Sequence, residues 1–207
     1  MRRMTCGVAF GGLLACSASD GRAPSSAVVT DPALRDELLA RVARDQAVRD
    51  TFATQLQATG TITPALWASM RHVDSVNLAW LRPLIRTRGF PTRAAVGHDA
   101  VLAAALLVQH ADADPAFQAE VLPLMAAAYR AGEVSGQEIA MLADRVAKAQ
   151  GKPQQYGTQT TIRDGVVHFD PIADSVTVDA RRAALGLPSL VEYKRMLDSM
   201  YAQRRAP

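Results

Sequence analysis

Thiols are nearly missing from this chain. Its 207 residues include two cysteines, Cys6 and Cys16, both within the first sixteen positions. From Ser17 onward nothing can form a disulfide, a cysteine zinc site or a thiol nucleophile. Aromatic residues are also few, at 5% of the composition. An excess of one charge is missing: 23 basic residues stand against 20 acidic ones, a formal net charge of +3, and the basic residues are scattered without an arm or stripe. A nucleic-acid partner needs such a basic footprint, so none is expected. No apolar run approaches the roughly 20 residues that cross a bilayer. There is no glycine-rich phosphate loop, no Gly-x-Ser-x-Gly elbow and no His-Glu-x-x-His. Readings as a P-loop enzyme, a serine hydrolase or a zinc protease therefore have no motif behind them.

What is present favours helix. The composition is 49% hydrophobic, rich in alanine and leucine, which are good helix formers. The length suits one domain with a substantial core. Met1 to Ala15 places basic residues before a short apolar core and a small residue, the pattern of a secretory signal. Leu13-Leu14-Ala15-Cys16 resembles the lipobox of bacterial lipoproteins, in which the cysteine takes a diacylglyceryl group and becomes the new N-terminus. That resemblance implies a lipid on Cys16. Ser17 after it implies outer-membrane sorting, facing the periplasm. Acyl chains contribute about 0.8 kcal/mol per buried CH₂. Loss of the leader removes Arg2 and Arg3 and leaves 21 basic residues against 20 acidic ones. Residues 16–30 read as a flexible tether rich in Ser, Ala and Gly, and 31–207 as a single mainly helical domain.

The centre of that domain is the stretch from Ala100 to Val108, in which every residue is apolar. A helix without a polar face belongs inside a bundle. The expected fold is therefore a helical bundle around a buried central helix at about 98–110, with a small β-hairpin at about 156–169. Three helices are expected to start with a capping side chain followed by proline, at Asp31-Pro32, Thr63-Pro64 and Asp114-Pro115. Two more start with capping boxes, Ser135 with Glu138 and Ser189 with Glu192. Pro83 is expected to kink or end the second helix. Tyr156 to Ile162 and Val166 to Phe169, joined by Arg163-Asp164-Gly165, read as the hairpin. Asp179 is placed as the cap of a short helix.

Several polar residues fall where apolar ones would pack. In the second helix Trp67, Met70, Leu78 and Leu81 share an arc that also contains Asp74 and Asn77. A carboxylate in such a place needs a partner, and an arginine is the expected one. Gln118 sits among Val121, Met125 and Tyr129 on its helix face. His110 ends the central helix. There the helix dipole favours the charged ring and burial the neutral one, opposed effects that suit acid–base work. Arg145 lies at the edge of its helix's apolar stripe and can reach inward, whereas Asp144, opposite that stripe, reads as solvated. His168 reads as a surface residue. His98 and His110, on one helix, would be about 18 Å apart and cannot share an ion. His110-Ala-Asp112-Ala-Asp114 alone is a weak ligand set. No metal and no cofactor is expected.

Short motifs then add a resemblance. They include Gly89-Phe-Pro-Thr92, Leu106-Leu-Val-Gln-His-Ala-Asp112, Phe117-Gln118, Gly132-Glu-Val134, Asp144-Arg-Val146, Gln155-Tyr-Gly-Thr-Gln159 and Arg181-Arg182. In that order, from roughly Leu34 to Tyr193, they resemble a bacterial family known as domain of unknown function 6624. Phe90 departs from the tryptophan expected there, and His98 stands where the family pattern is free. The resemblance implies no known activity or cofactor.

Two readings follow. In the first, the protein is a metal-independent hydrolase or transferase with His110 as general acid or base. Asp74 or Asp112 would orient it, and Asn77, Gln118, Arg145, Tyr156, Thr158, Gln159 and Arg182 would bind a small molecule or envelope component that is anionic or amide-bearing. In the second, the protein is a non-catalytic binding or scaffold lipoprotein. The same residues would then form a hydrogen-bond network fixing the hairpin on the helices.

Overall fold

A computed structural model describes residues 29–163 and 166–203 of the chain. The expected signal and Cys16 lie outside the described residues. The described chain is mainly helical, with one two-stranded sheet. In order the elements are α1 (Pro32–Thr59), α2 (Pro64–Arg88), α3 (Arg93–Val96), α4 (His98–Gln109), α5 (Pro115–Arg130), α6 (Gly136–Ala149), β1 (Thr160–Arg163), β2 (Val166–Phe169), α7 (Val178–Ala184) and α8 (Leu190–Gln203).

The capping chemistry sets the helix starts. Asp31, Thr63 and Asp114 each accept a backbone N–H of the first turn, and proline follows each. Ser135 and Glu138 complete a reciprocal capping box, and Ser189 and Glu192 exchange the same bonds before α8. One expected cap differs. Thr177 precedes α7, while Asp179 lies in its first turn and accepts the Leu190 N–H. Pro83 neither ends nor divides α2, which continues to Arg88.

The all-apolar helix α4 is the innermost element. It touches α1, α2, α3, α5 and α6, and Ala100, Val101, Ala104, Ala105 and Val108 are sealed from solvent. Leu38 of α1, Leu81 and Ile85 of α2, Phe117, Val121 and Met125 of α5 and Leu142 of α6 complete the core around it. Small side chains on α4 let these helices approach closely. Gly136 does the same at the start of α6. A Cβ there would lie 1.9 Å from the Leu185 carbonyl oxygen at the end of α7, a backbone atom that no rotamer change can move. Among the described residues no helix is long and apolar enough to cross a membrane.

The hairpin is shorter than its sequence pattern. β1 begins at Thr160, paired antiparallel with Phe169, and Ile162 faces Val167. Gln154 to Gln159 forms no strand of the hairpin. It is a loop held against α6, and its only ladder contact is a bridge from Gln154 to Ile172. On the other side β2 meets α8, where Phe169 stacks on Tyr193.

Candidate functional site

His110 follows the last turn of α4 and is buried, at 6% exposure. Its Nδ1 lies 2.8 Å from Oδ2 of Asp45 on α1. An ionised carboxylate only accepts, so Nδ1 carries a proton and the tautomer is set. Nε2 is then a lone pair, or a second N–H when the ring is charged. No described residue bonds Nε2, and it is not among the sealed, unpaired atoms. Asp45 is wholly buried, which a carboxylate tolerates only with partners. It has three: His110, Gln46 Nε2 at 2.7 Å and Arg49 Nη1 at 2.5 Å. Arg49 Nη2 in turn donates to Asp74 of α2 at 2.7 Å. The result is a hydrogen-bonded chain, His110–Asp45–Arg49–Asp74, running from the end of α4 through α1 to α2. Burial raises the Asp74 carboxyl above the usual carboxylate range, with the Arg49 charge and hydrogen bond opposing it.

Asp74 thus finds the arginine its position called for. It does not orient His110, and neither does Asp112: the carboxylate on the ring is Asp45. Asp45 sits among the charged residues of α1, and the sequence carries one signal for it. That signal is spacing. Leu38, Asp45 and Phe52, the buried residues of α1, recur every seven positions along one face.

A second group adjoins His110 through the turn that leaves α4. Gln118 is buried and uses Nε2 to hold the Val108 and Gln109 carbonyls, and it also reaches Oδ1 of Asp112 at 3.2 Å. Asp112 accepts Nη1 of Arg145 on α6 at 2.6 and 2.7 Å. Arg145 is buried as its place on the stripe allowed, at 7% exposure. Asn77, one turn beyond Asp74, accepts from Arg41 at 3.3 Å, and Arg41 lies over the Trp80 ring.

The remaining candidates make their hydrogen bonds within a docking network. Asp144 is wholly buried rather than solvated. Its carboxylate accepts the backbone N–H groups of Gln155, Tyr156 and Thr158 and the Thr158 hydroxyl, at 2.6 to 3.2 Å. The loop makes a nest of N–H groups around it, the backbone counterpart of an anion site. Gln154 reaches the Gln159 and Asp170 carbonyls and accepts the Gln159 N–H, so one side chain ties both sides of the hairpin. Gln159 bonds Thr158 with its own amide. Arg182 is 1% exposed and donates to the carbonyls of Tyr156 and Pro188 while lying over the Tyr193 ring. Burial lowers its affinity for the proton and raises the Tyr156 phenol. The hydrogen bonds of these polar residues thus fall into separate sets, which meet at the adjacent residues Asp144 and Arg145. Gln159, Thr158, Tyr156 and Arg182 direct their bonds to the loop and α7, not towards the histidine.

A family model matches residues 32–205, from the start of α1 to the end of the fold. The chain belongs to DUF6624, a family of unknown function. No curated protein and no solved structure matches it. In this DUF6624 chain the two motif stretches fall on different groups: Leu106 to Asp112 supplies His110 and Asp112, and Gln155 to Gln159 wraps Asp144. A cavity of about 110 Å³ in the DUF6624 chain lies elsewhere. It is lined by Leu34, Leu84, Arg88 and the Gly89–Thr92 turn at the opposite end of α4.

Proposed function

We propose that this protein is a metal-independent hydrolase or group-transfer enzyme whose general base is His110. One observation carries the reading: the Nδ1–Asp45 bond of 2.8 Å on a ring whose Nε2 has no partner among the described residues. A carboxylate on Nδ1 fixes the tautomer and steadies the imidazolium formed when Nε2 takes a proton. Asp45 is a positioning residue, held by Gln46 and Arg49, and Asp74 holds Arg49 from behind. Arg145 and Gln118 hold the turn that begins at His110, through Asp112 and the Val108 and Gln109 carbonyls, and would bind substrate. Lipid on Cys16, cut at the Leu13–Cys16 motif, would place the enzyme at the envelope facing the periplasm. Its substrate there would be a small molecule or an envelope component.

The test is a screen of aryl ester, amide and phosphate substrates against the wild type, H110N and D45N, with Tm measured for each. The expected result is turnover that falls about 10²–10⁴-fold in H110N while Tm changes little. Turnover that persists in H110N refutes the base. A large Tm loss without a selective loss of turnover assigns the histidine to packing. Radiolabelled palmitate tests the anchor, with incorporation expected in the wild type and lost in C16S.

The network reading also keeps one specific observation. Every bond of Asp144 goes to the loop at 155–158, so that group serves to dock the hairpin segment.

A further inference from the structure

Arg145 is a buried cation that is only partly satisfied. A guanidinium offers five N–H donors, yet Asp112 takes both of its bonds from Nη1 alone. Nε is sealed from solvent with no acceptor. Nη2 donates to no described residue and is not among the sealed atoms, so it is open to an incoming group. The pairing is not the fork of two parallel bonds that guanidinium and carboxylate prefer. The two partners also differ in burial. The Arg145 side chain is 8% exposed and that of Asp112 58%. Asp112 stands on a turn, and its other bond within the group is a 3.2 Å contact from Gln118. An exposed carboxylate thus covers a buried guanidinium.

We propose that Arg145 is the binding site for a ligand carboxylate, and that Asp112 is its internal stand-in. The ligand would displace Asp112 and take Nη1 and Nη2 together, end-on, which satisfies the donor that Asp112 leaves open. Asp112, released to water, loses little because it is already largely hydrated. The proposal deepens the reading of His110 as a base, since the turn holding Asp112 begins at that histidine. It assigns the substrate a carboxylate group near the reacting bond.

Binding can be read without activity, so the two readings fail separately. The probe is acetate, with sodium chloride at matched ionic strength as the control, on the wild type, D112A and D112A/R145M. Removing the stand-in opens the site. If Asp112 covers Arg145 in nine molecules of ten, the apparent Kd for acetate falls by roughly tenfold in D112A. The expected result is a saturable shift of the Arg145 Nε–H resonance in D112A and a saturable rise in its Tm, the rise being absent in D112A/R145M. In the wild type the same resonance shifts at higher acetate, which keeps the test alive should D112A fail to fold. No saturable shift in either protein overturns the proposal. So does an equal response in D112A/R145M, or a response to inorganic phosphate without one to acetate. H110N is expected to keep acetate binding. Binding retained there with no turnover in the wild type would overturn the catalytic reading and leave the carboxylate site standing.

Discussion

Asp45 shows at the level of one residue why a helix carries charge into a core. Its carboxylate is sealed, and its partners come from three directions: Gln46 beside it, Arg49 one turn on, and His110 across the interface with α4. Each bond satisfies a lone pair that water would otherwise occupy. Replacing Asp45 with alanine leaves Arg49 with Asp74 as its one carboxylate and leaves His110 Nδ1 without its acceptor. Breaking a buried pair in this way costs about 3–5 kcal/mol. D45A is therefore expected to lose stability of that order in urea unfolding, and D45N less, because its amide oxygen still accepts one bond. A loss below about 1 kcal/mol for D45A would show that water repairs the gap. Asp45 was hard to read from the chain for a physical reason. Neighbouring Arg44, Arg49 and Asp50 look like a solvated face, and only the seven-residue recurrence with Leu38 and Phe52 marks the buried line. Asp74 was legible because its arc holds tryptophan and leucine. The histidine was legible because it ends the one helix with no polar side.

At the level of elements, helices are bounded by local chemistry and the docking of the C-terminal segment by non-local chemistry. The caps at Asp31, Thr63, Asp114 and Ser135 depend on side chains within three residues, so sequence alone locates them. The loop at 154–159 shows the other case. Tyr156 and Thr158 have strand-forming character, but their backbone N–H groups go to Asp144, and that of Gln159 goes to the Gln154 side chain, rather than to a partner strand. No local rule reveals the Asp144 bonds, because that acceptor lies eleven or more residues upstream and had been assigned to solvent. The D144A variant should leave three backbone N–H groups unmet. Hydrogen exchange is expected to quicken at Gln155, Tyr156 and Thr158 and through β1 and β2, while α4 stays protected. Equal loss of protection in α4 would mean that the segment and the bundle unfold as one unit.

For the whole molecule the question is how these ion pairs sum with pH. Exposed pairs hold Asp31 to Arg88, Asp99 to Arg35 and Glu120 to Arg86, and in each the arginine's hydrogen bond lowers the carboxyl below its usual range. Their stabilisation is present above the unfolded pKa, at about 4, and is lost as pH falls through the lower folded value. Each is small because solvent screens it. Asp74 works in the opposite sense. Burial raises its folded pKa above the unfolded one, so the folded state takes up a proton first. Stability from this group then rises as pH falls from the raised value towards about 3.9, and is constant below both. D74N lacks that gain at every pH. Its loss of a charged acceptor for Arg49 offsets the neutral-pH comparison by a fixed amount, but the difference between the proteins must change with acidity. Urea unfolding at pH 7, 6, 5 and 4 is expected to show the wild type gaining on D74N as pH falls. A difference that stays flat, or moves the other way, would mean that the Arg49 charge and hydrogen bond outweigh burial at Asp74.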